Sequence, residues 1–333
     1  MRVKFWLRTR FKLAILASFF TLYGLTASGF EIQSKQIEHF KIGSDQRDFG
    51  RLRFEGGILT WADERLYGAV SSIRFLPNER DFLAVLDTGY FLEASVVRDA
   101  NGRLSGISNA RLFPILDENG KEHSRKYMVD SEGLALRGDQ AIVSFEQRHR
   151  IEVYDRIKLS KAQATGTIPH LMPSKELRAN GGIETLALSP KNSPFSGALV
   201  AVSEQSVDEN GHLYAAVLDG PLKGQFRVVK TGEFAVTDGA FLPNGDLLLL
   251  ERRFSLATGV GMRLRLISGA DIKPNAVVDG EVLLDVGMAH QIDNMEGLDV
   301  VEMDDGSIHL IIVSDNNHSF LQRNLMLEFK LLN

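Results

Sequence analysis

The sequence predicts an all-β protein, a β-propeller with five or six blades of mostly four antiparallel strands. Three observations carry this. A phrase of 52 to 60 residues returns five times, strand-length apolar runs are bounded by turn residues, and an acidic residue recurs at one point of each phrase.

Each phrase starts with a small or acidic residue, at Ser72, Glu132, Glu184, Asp238 and Glu296, and enters a first strand. Turn residues follow: Pro77-Asn78, Arg137-Gly138-Asp139, Pro243-Asn244-Gly245 and Asp304-Asp305-Gly306. Asn-Gly and Asp-Gly tolerate the positive φ angles of tight hairpins. Second strands are read at 82–87, 140–146, 198–204, 246–251 and 309–315, ending in Asp87, Glu146, Glu204, Glu251 and Asp315. Third strands are read near 91–99, 150–156, 212–219, 262–268 and 324–332, rich in Val, Ile, Leu and aromatics. The period exceeds that of WD40 repeats, which leaves room for a fourth strand such as 104–116. Residues 52–61 complete the last blade or belong to a sixth. A pair of β-sandwiches is the competing architecture, but it gives no reason for an acid at the same place in each phrase.

Residues 1–29 read as an export signal. Arg2, Lys4, Arg8, Arg10 and Lys12 precede an apolar run at 13–25, and Ala27 and Gly29 supply the small pair for cleavage after Gly29. The expected location is periplasmic or secreted. The alternative, an N-terminal membrane anchor, meets an apolar run short of the roughly 20 residues a span needs. The remaining chain, 30–333, is expected to be one propeller domain with no stable membrane insertion. It keeps 33 basic against 43 acidic residues, a formal charge of −10. That balance repels nucleic acid and favours cations. The chain has no Cys, so stability rests on the core rather than on disulfides.

Propeller geometry turns the repeat into a candidate site. Inner strands run in one direction along the channel, so their starts share a rim with the ends of the second strands. Glu132, Glu184, Asp238 and Glu296 are therefore expected to ring the channel mouth, with Asp87, Glu146, Glu204, Glu251 and Asp315 just outside. Like charges at one opening raise each other's pKa values, and a divalent cation relieves them. Oxygen ligands without Cys or His favour Ca²⁺ over Zn²⁺. Asp238, Glu146, Glu204, Glu251 and Asp315 are the expected metal ligands, and Glu132, Glu184 and Glu296 the candidate catalytic acids. Cations share the rim loops: Arg148 after Glu146, Arg252 after Glu251, Arg323 after Asp315, and Lys126 before Glu132. Arginine matches phosphate or carboxylate oxygens with a planar fork of donors, so a small anionic substrate is expected.

Other chemistries fail their checks. Gly-x-Ser-x-Gly, His-Glu-x-x-His and the phosphate-binding Gly-rich loop with its Lys are absent. Gly259-Val260-Gly261 lacks a third glycine in register, which argues against a dinucleotide site. Asp315, Asn317 and Ser319 imitate an EF-hand start, but Phe320 and Met326 stand where its Gly and bidentate Glu belong.

Several phrases resemble the esterase-like phytase family of exported bacterial proteins. They are Ser144-Phe145-Glu146-Gln147-Arg148-His149-Arg150-Ile151, Asn180-Gly181-Gly182-Ile183-Glu184 and Thr237-Asp238-Gly239-Ala240-Phe241-Leu242-Pro243. Leu250-Glu251-Arg252-Arg253-Phe254, Asn294-Met295-Glu296-Gly297 and Ser314-Asp315-Asn316-Asn317 belong to the same set. The resemblance implies a propeller and a phosphoric-ester hydrolase, in loose analogy with Ca²⁺-dependent propeller phytases. Ser72 departs from the repeat, standing where an acid would complete the inner ring.

Three functional readings follow. The leading one is Ca²⁺-assisted hydrolysis of a phosphate ester. Arg148, Arg252, Arg323 and Lys126 would bind substrate, and Glu132, Glu184 or Glu296 would act as the base. A Ca²⁺-dependent lactonase or carboxyl-esterase is the second, favoured by one metal in an apolar pocket. A non-catalytic propeller that binds a ligand or partner on its rim is the third.

Overall fold

The computed structural model describes residues 29–117, 119–123 and 125–332; the expected leader lies outside them. Five antiparallel sheets form five blades. The first blade is Val70–Phe75, Asp81–Leu86, Tyr90–Arg98 and Leu104–Pro114. The second is Ser131–Arg137, Gln140–Phe145, Arg150–Asp155 and Gly166–Ile168. Ile183–Leu188, Leu199–Val207, Leu213–Val217 and Gly224–Val228 make the third, to which Val277–Val278 adds a parallel edge strand. The fourth is Ala235–Phe241, Leu247–Ser255, Gly259–Ile267 and Glu281–Gly287.

The fifth blade settles the count. Asn294–Glu302, Ile308–Asp315 and Asn324–Leu331 take Leu52–Trp61 as their fourth strand, in register from Leu52 opposite Leu331 to Thr60 opposite Asn324. Gln33–Ile37 then covers the outer edge. The early strands therefore close the ring instead of starting a sixth blade, and the closure pairs an edge that would otherwise template aggregation.

The five inner strands neighbour one another in a closed ring, first to second, third, fourth, fifth and back to first. The core lies between blades rather than inside the channel. Leu248, Leu250 and Leu264 of the fourth blade pack with Leu310, Ile312 and Leu327 of the fifth, all out of water. This explains the nearly continuous apolar second strands, since both their faces are covered.

Every inner strand carries an irregularity at its start. Its register with the second strand slips between Val70 and Ser72, Ser131 and Leu134, Ile183 and Thr185, Val236 and Asp238, and Met295 and Gly297. A bulge inserts an unpaired residue and re-aims its side chain. The residues so placed are Ser71, Glu132, Glu184, Thr237 and Glu296. This corrects the repeat alignment: Ser72 and Asp238 sit one residue further along their strands than the three glutamates.

Below the bulges the channel is plugged. Arg74 donates to both Asp238 carboxylate oxygens, at 2.9 and 2.8 Å. It also reaches the carbonyl oxygens of Leu186 at 2.9 Å and Leu298 at 2.7 Å. One buried guanidinium thus joins the inner strands of the first, third, fourth and fifth blades.

Candidate functional site

The site forms where the bulges meet the ends of the second strands. Strand pairing sets Ala69 opposite Asp87, Ala235 opposite Arg252, and Asn294 opposite Asp315, by extension of the ladders and their hydrogen bonds. In the same way Asp130 lies opposite Glu146 and Gly182 opposite Glu204. The outer ring is therefore Asp87, Glu146, Glu204, Arg252 and Asp315. In the fourth blade an arginine holds the place that an acid holds elsewhere.

Glu251, expected as a metal ligand, lies one residue earlier and so faces the other side of its strand. It is buried against Arg265 and approaches Arg263 at 3.8 Å. Asp238 is likewise absent from the rim. It is 0% exposed, and besides Arg74 it accepts from the Ser72 hydroxyl at 2.8 Å, the Leu298 amide at 3.0 Å and the Gly239 amide at 2.8 Å. Both acids are occupied by structural partners.

The remaining acids converge. Glu146, Glu184 and Glu204 each offer an oxygen within 4.8 Å of the others, and Asp130, Glu132 and Glu146 do the same. Glu146 belongs to both groups, and the backbone holds it: its Oε1 accepts from the amides of Gly181 at 2.5 Å and Gly182 at 2.8 Å. Gly181 has φ of +103°, a conformation that side chains disfavour, which explains the glycine there. Gly133, next to Glu132, has no room for a Cβ, which would meet the Glu184 carbonyl oxygen and the Ser144 hydroxyl. Removing the Cβ lets the second and third inner strands approach until Glu132 and Glu184 sit together.

Glu184 is only 7% exposed and Glu132 is half-buried, and neither side chain has a hydrogen bond or ion pair with a described residue. Burial, then the neighbouring carboxylates, pushes both well above the usual range. Burial raises Glu296 to about 8 despite Arg252, and Asp315 to about 7. Glu204 and Asp130 are also raised, mainly by burial. An unpaired buried carboxylate costs free energy unless it protonates or meets a cation.

The cations divide sharply. Arg252 lies inside the cluster, 3.2 Å from Glu296 and 3.5 Å from Glu204. Arg323 points away, fastened to Asp293 at 3.1 Å, Gln291 at 2.9 Å and the Ile292 carbonyl at 2.8 Å. Lys126 spans Asp87 at 2.7 Å and Asp130 at 3.7 Å. Arg148 is exposed, and its side chain makes no hydrogen bond or ion pair with a described residue. Of the four expected substrate-binding cations, the structure thus brings only Arg252 into the carboxylate cluster and Lys126 to its edge.

Asp130 is the acid that the repeat pattern misses. It precedes Glu132 by two residues, the strand period that keeps both on one side, but it lies outside the strand-start slot that defines the repeat.

Fold and site together define a five-bladed propeller with an acidic mouth into which Arg252 projects. The family model described as phytase-like, esterase-like activity of phytase, matches residues 65–318, and the chain belongs to that family. No curated protein matches its sequence. Solved structures similar to it include an endo-arabinase from Bacteroides thetaiotaomicron, 10% identical, covering 78% of this chain and 93% of that one, TM-score 0.47. Another is the PQQ-bound aldose sugar dehydrogenase of Streptomyces coelicolor, 13% identical, covering 92% and 99%, TM-score 0.42. Among the described residues no helix is long and apolar enough to cross a membrane.

Proposed function

We propose that the protein is an exported hydrolase of phosphate esters that works with a divalent cation, Ca²⁺, at the acidic rim. The observation that carries this reading is a pair of carboxylates without an ion-pair partner among the described residues, buried Glu184 beside Glu146 and Glu204 and half-buried Glu132 beside Asp130 and Glu146, with Arg252 close to Glu204.

The donor set suits a hard cation: every available ligand atom in the two groups is a carboxylate oxygen. Glu146, Glu184 and Glu204, with Asp130 and Glu132 alongside, would hold it. A bound cation neutralises the rim and polarises a phosphate oxygen. Glu146 is presented by the Gly181 and Gly182 amides with Oε2 left over. Arg252 offers its guanidinium to the anionic head, which matches phosphate geometry. Glu296 is the proton-handling group: Asn294 and Arg252 engage its Oε1, at 2.7 and 3.2 Å, leaving Oε2 to take a proton from attacking water. Held near 8 without a cation, the Glu296 carboxyl would give up its proton once a bound cation adds positive charge to the rim, which frees it to act as the base. The polar lining and Arg252 favour phosphate over the lactone alternative.

Phosphate release from a panel of mono- and diesters, with Ca²⁺ and with chelator, tests the reading. Expected is Ca²⁺-dependent release that falls at least about a hundredfold in Glu296→Gln. No release from any ester in Ca²⁺, or release indifferent to chelator, contradicts it.

A further inference from the structure

Among the described residues, the large apolar side chains most open to water are Leu256, 97% exposed, and Phe320, 95% exposed. Both stand on the rim side. Leu256 tips the hairpin that follows Arg252 in the fourth blade, and Phe320 lies with Leu321 in the loop that follows Asp315 in the fifth. Met288 lies against Gly259 at the foot of that hairpin, and the Ile42 amide donates to Ala289 at 2.9 Å. Arg323 fastens the end of the fifth-blade loop to Gln291, Ile292 and Asp293. Ile42, Leu256, Met288, Phe320 and Leu321 lie on these connected loops and Phe254 on the end of the strand that leads into the hairpin, a half-collar over the fourth and fifth blades.

The other half of the rim differs. The corresponding loops of the second and third blades expose Gln147, Arg148, Glu209 and Asn210, and Tyr127 is the one exposed large aromatic near them among the described residues. The apolar half thus stands beside Arg252 and Glu296, and the polar half beside the carboxylate groups around Glu146. Scattered exposed apolar residues need no explanation, but six of them on two neighbouring blades beside a charged site mark a binding surface.

We infer that the rim takes an amphiphile, an ester whose anionic head sits at Arg252 and whose alkyl tail lies on the half-collar. This rests on the phosphate-ester reading for the head and goes beyond it for the tail. A densely charged polyphosphate ester would gain nothing from these side chains. An alkyl tail leaving water gains roughly two- to fourfold in affinity per methylene, according to how fully it is covered.

Calorimetric titration of n-alkyl phosphates from ethyl to octyl, at fixed Ca²⁺ and below micelle formation, tests this. Wild type should bind progressively tighter with length. The double variant Leu256→Ser, Phe320→Ser should bind ethyl phosphate equally but lose the length dependence. Both substituted side chains are exposed, so its melting temperature should match wild type. Affinity independent of length, equal length dependence in the variant, or no binding of any member overturns the inference. So does self-association in sedimentation, or binding to phosphatidylcholine vesicles, that the double variant abolishes while length dependence stays absent; the collar would then serve a second copy or a membrane. Turnover is not the readout. A protein that binds octyl phosphate tightly yet hydrolyses none of the series fails the hydrolase reading alone. One that hydrolyses ethyl phosphate without length dependence fails the collar alone.

Discussion

Arg252 holds the position in the fourth blade that Asp87, Glu146, Glu204 and Asp315 hold in the others, and that single exchange divides the rim. Two glutamates face it, so its removal has two separable effects. Arg252→Gln should weaken phosphate binding by more than tenfold, because a charge-assisted fork is lost. It should also tighten Ca²⁺ binding, because a competing positive charge leaves Glu204 and Glu296; titration calorimetry of each ligand checks both. Arg323→Gln should instead leave phosphate affinity unchanged and lower the melting temperature, since Arg323 serves the loop at 291–293. Glu296 sets a pH dependence. Its pKa of about 8 lies above its ordinary 4.5, so the folded state keeps a proton that the unfolded chain has lost. Folded-state stability without cation should therefore fall as pH rises from about 4.5 to 8, with Glu132 and Glu184 adding in the same direction. Glu296→Gln should flatten part of that slope. Urea midpoints at pH 5.5 and 8 read it, and equal wild-type midpoints would speak against a proton held at the rim.

At the scale of the strand, the bulges decide what the sequence makes legible. Second and third strands and their turns are readable because their signals are local: a short apolar run, then Pro243-Asn244-Gly245 or Asp304-Asp305-Gly306. The three rim glutamates are readable as well, each at the start of such a run. A one-residue bulge leaves no mark in an alternating pattern, yet it moves every later side chain to the other face. Ser72 and Asp238 read as rim residues because they are small or acidic and stand next to Ser71 and Thr237, which hold those places, and Glu251 reads as the outer acid because it directly precedes Arg252, which holds that place. Arg323 misleads for another reason: its partner Asp293 is distant in sequence, so no local pattern shows the pairing. The plug gives the sharpest contrast. Asp238→Asn weakens the partner of a buried guanidinium and should cost about 3 kcal/mol or more, measured by urea unfolding, with Ca²⁺ affinity unchanged. Gly133→Ala should cost about 1–3 kcal/mol by forcing the inner strands apart, and should weaken Ca²⁺ binding as well because Glu132 and Glu184 separate.

Across the whole molecule, five repeats deliver one acid-rich mouth, and the Arg74–Asp238 plug closes the channel beneath it. Ring closure by Leu52–Trp61 pairs the earliest strands with the last, so rim residues more than two hundred positions apart, such as Asp87 and Asp315, act on one another. The proposed function requires this mouth to hold a cation. Titration calorimetry of Ca²⁺ into chelator-treated wild type and Glu184→Gln tests it most directly, since Gln keeps the shape and removes one charge from the group with Glu146 and Glu204. Expected are saturable binding by wild type, at least tenfold weaker binding by the variant, and a wild-type melting temperature that rises by a few degrees in excess Ca²⁺. Wild type that takes up no Ca²⁺ and melts at the same temperature with and without chelator would contradict it.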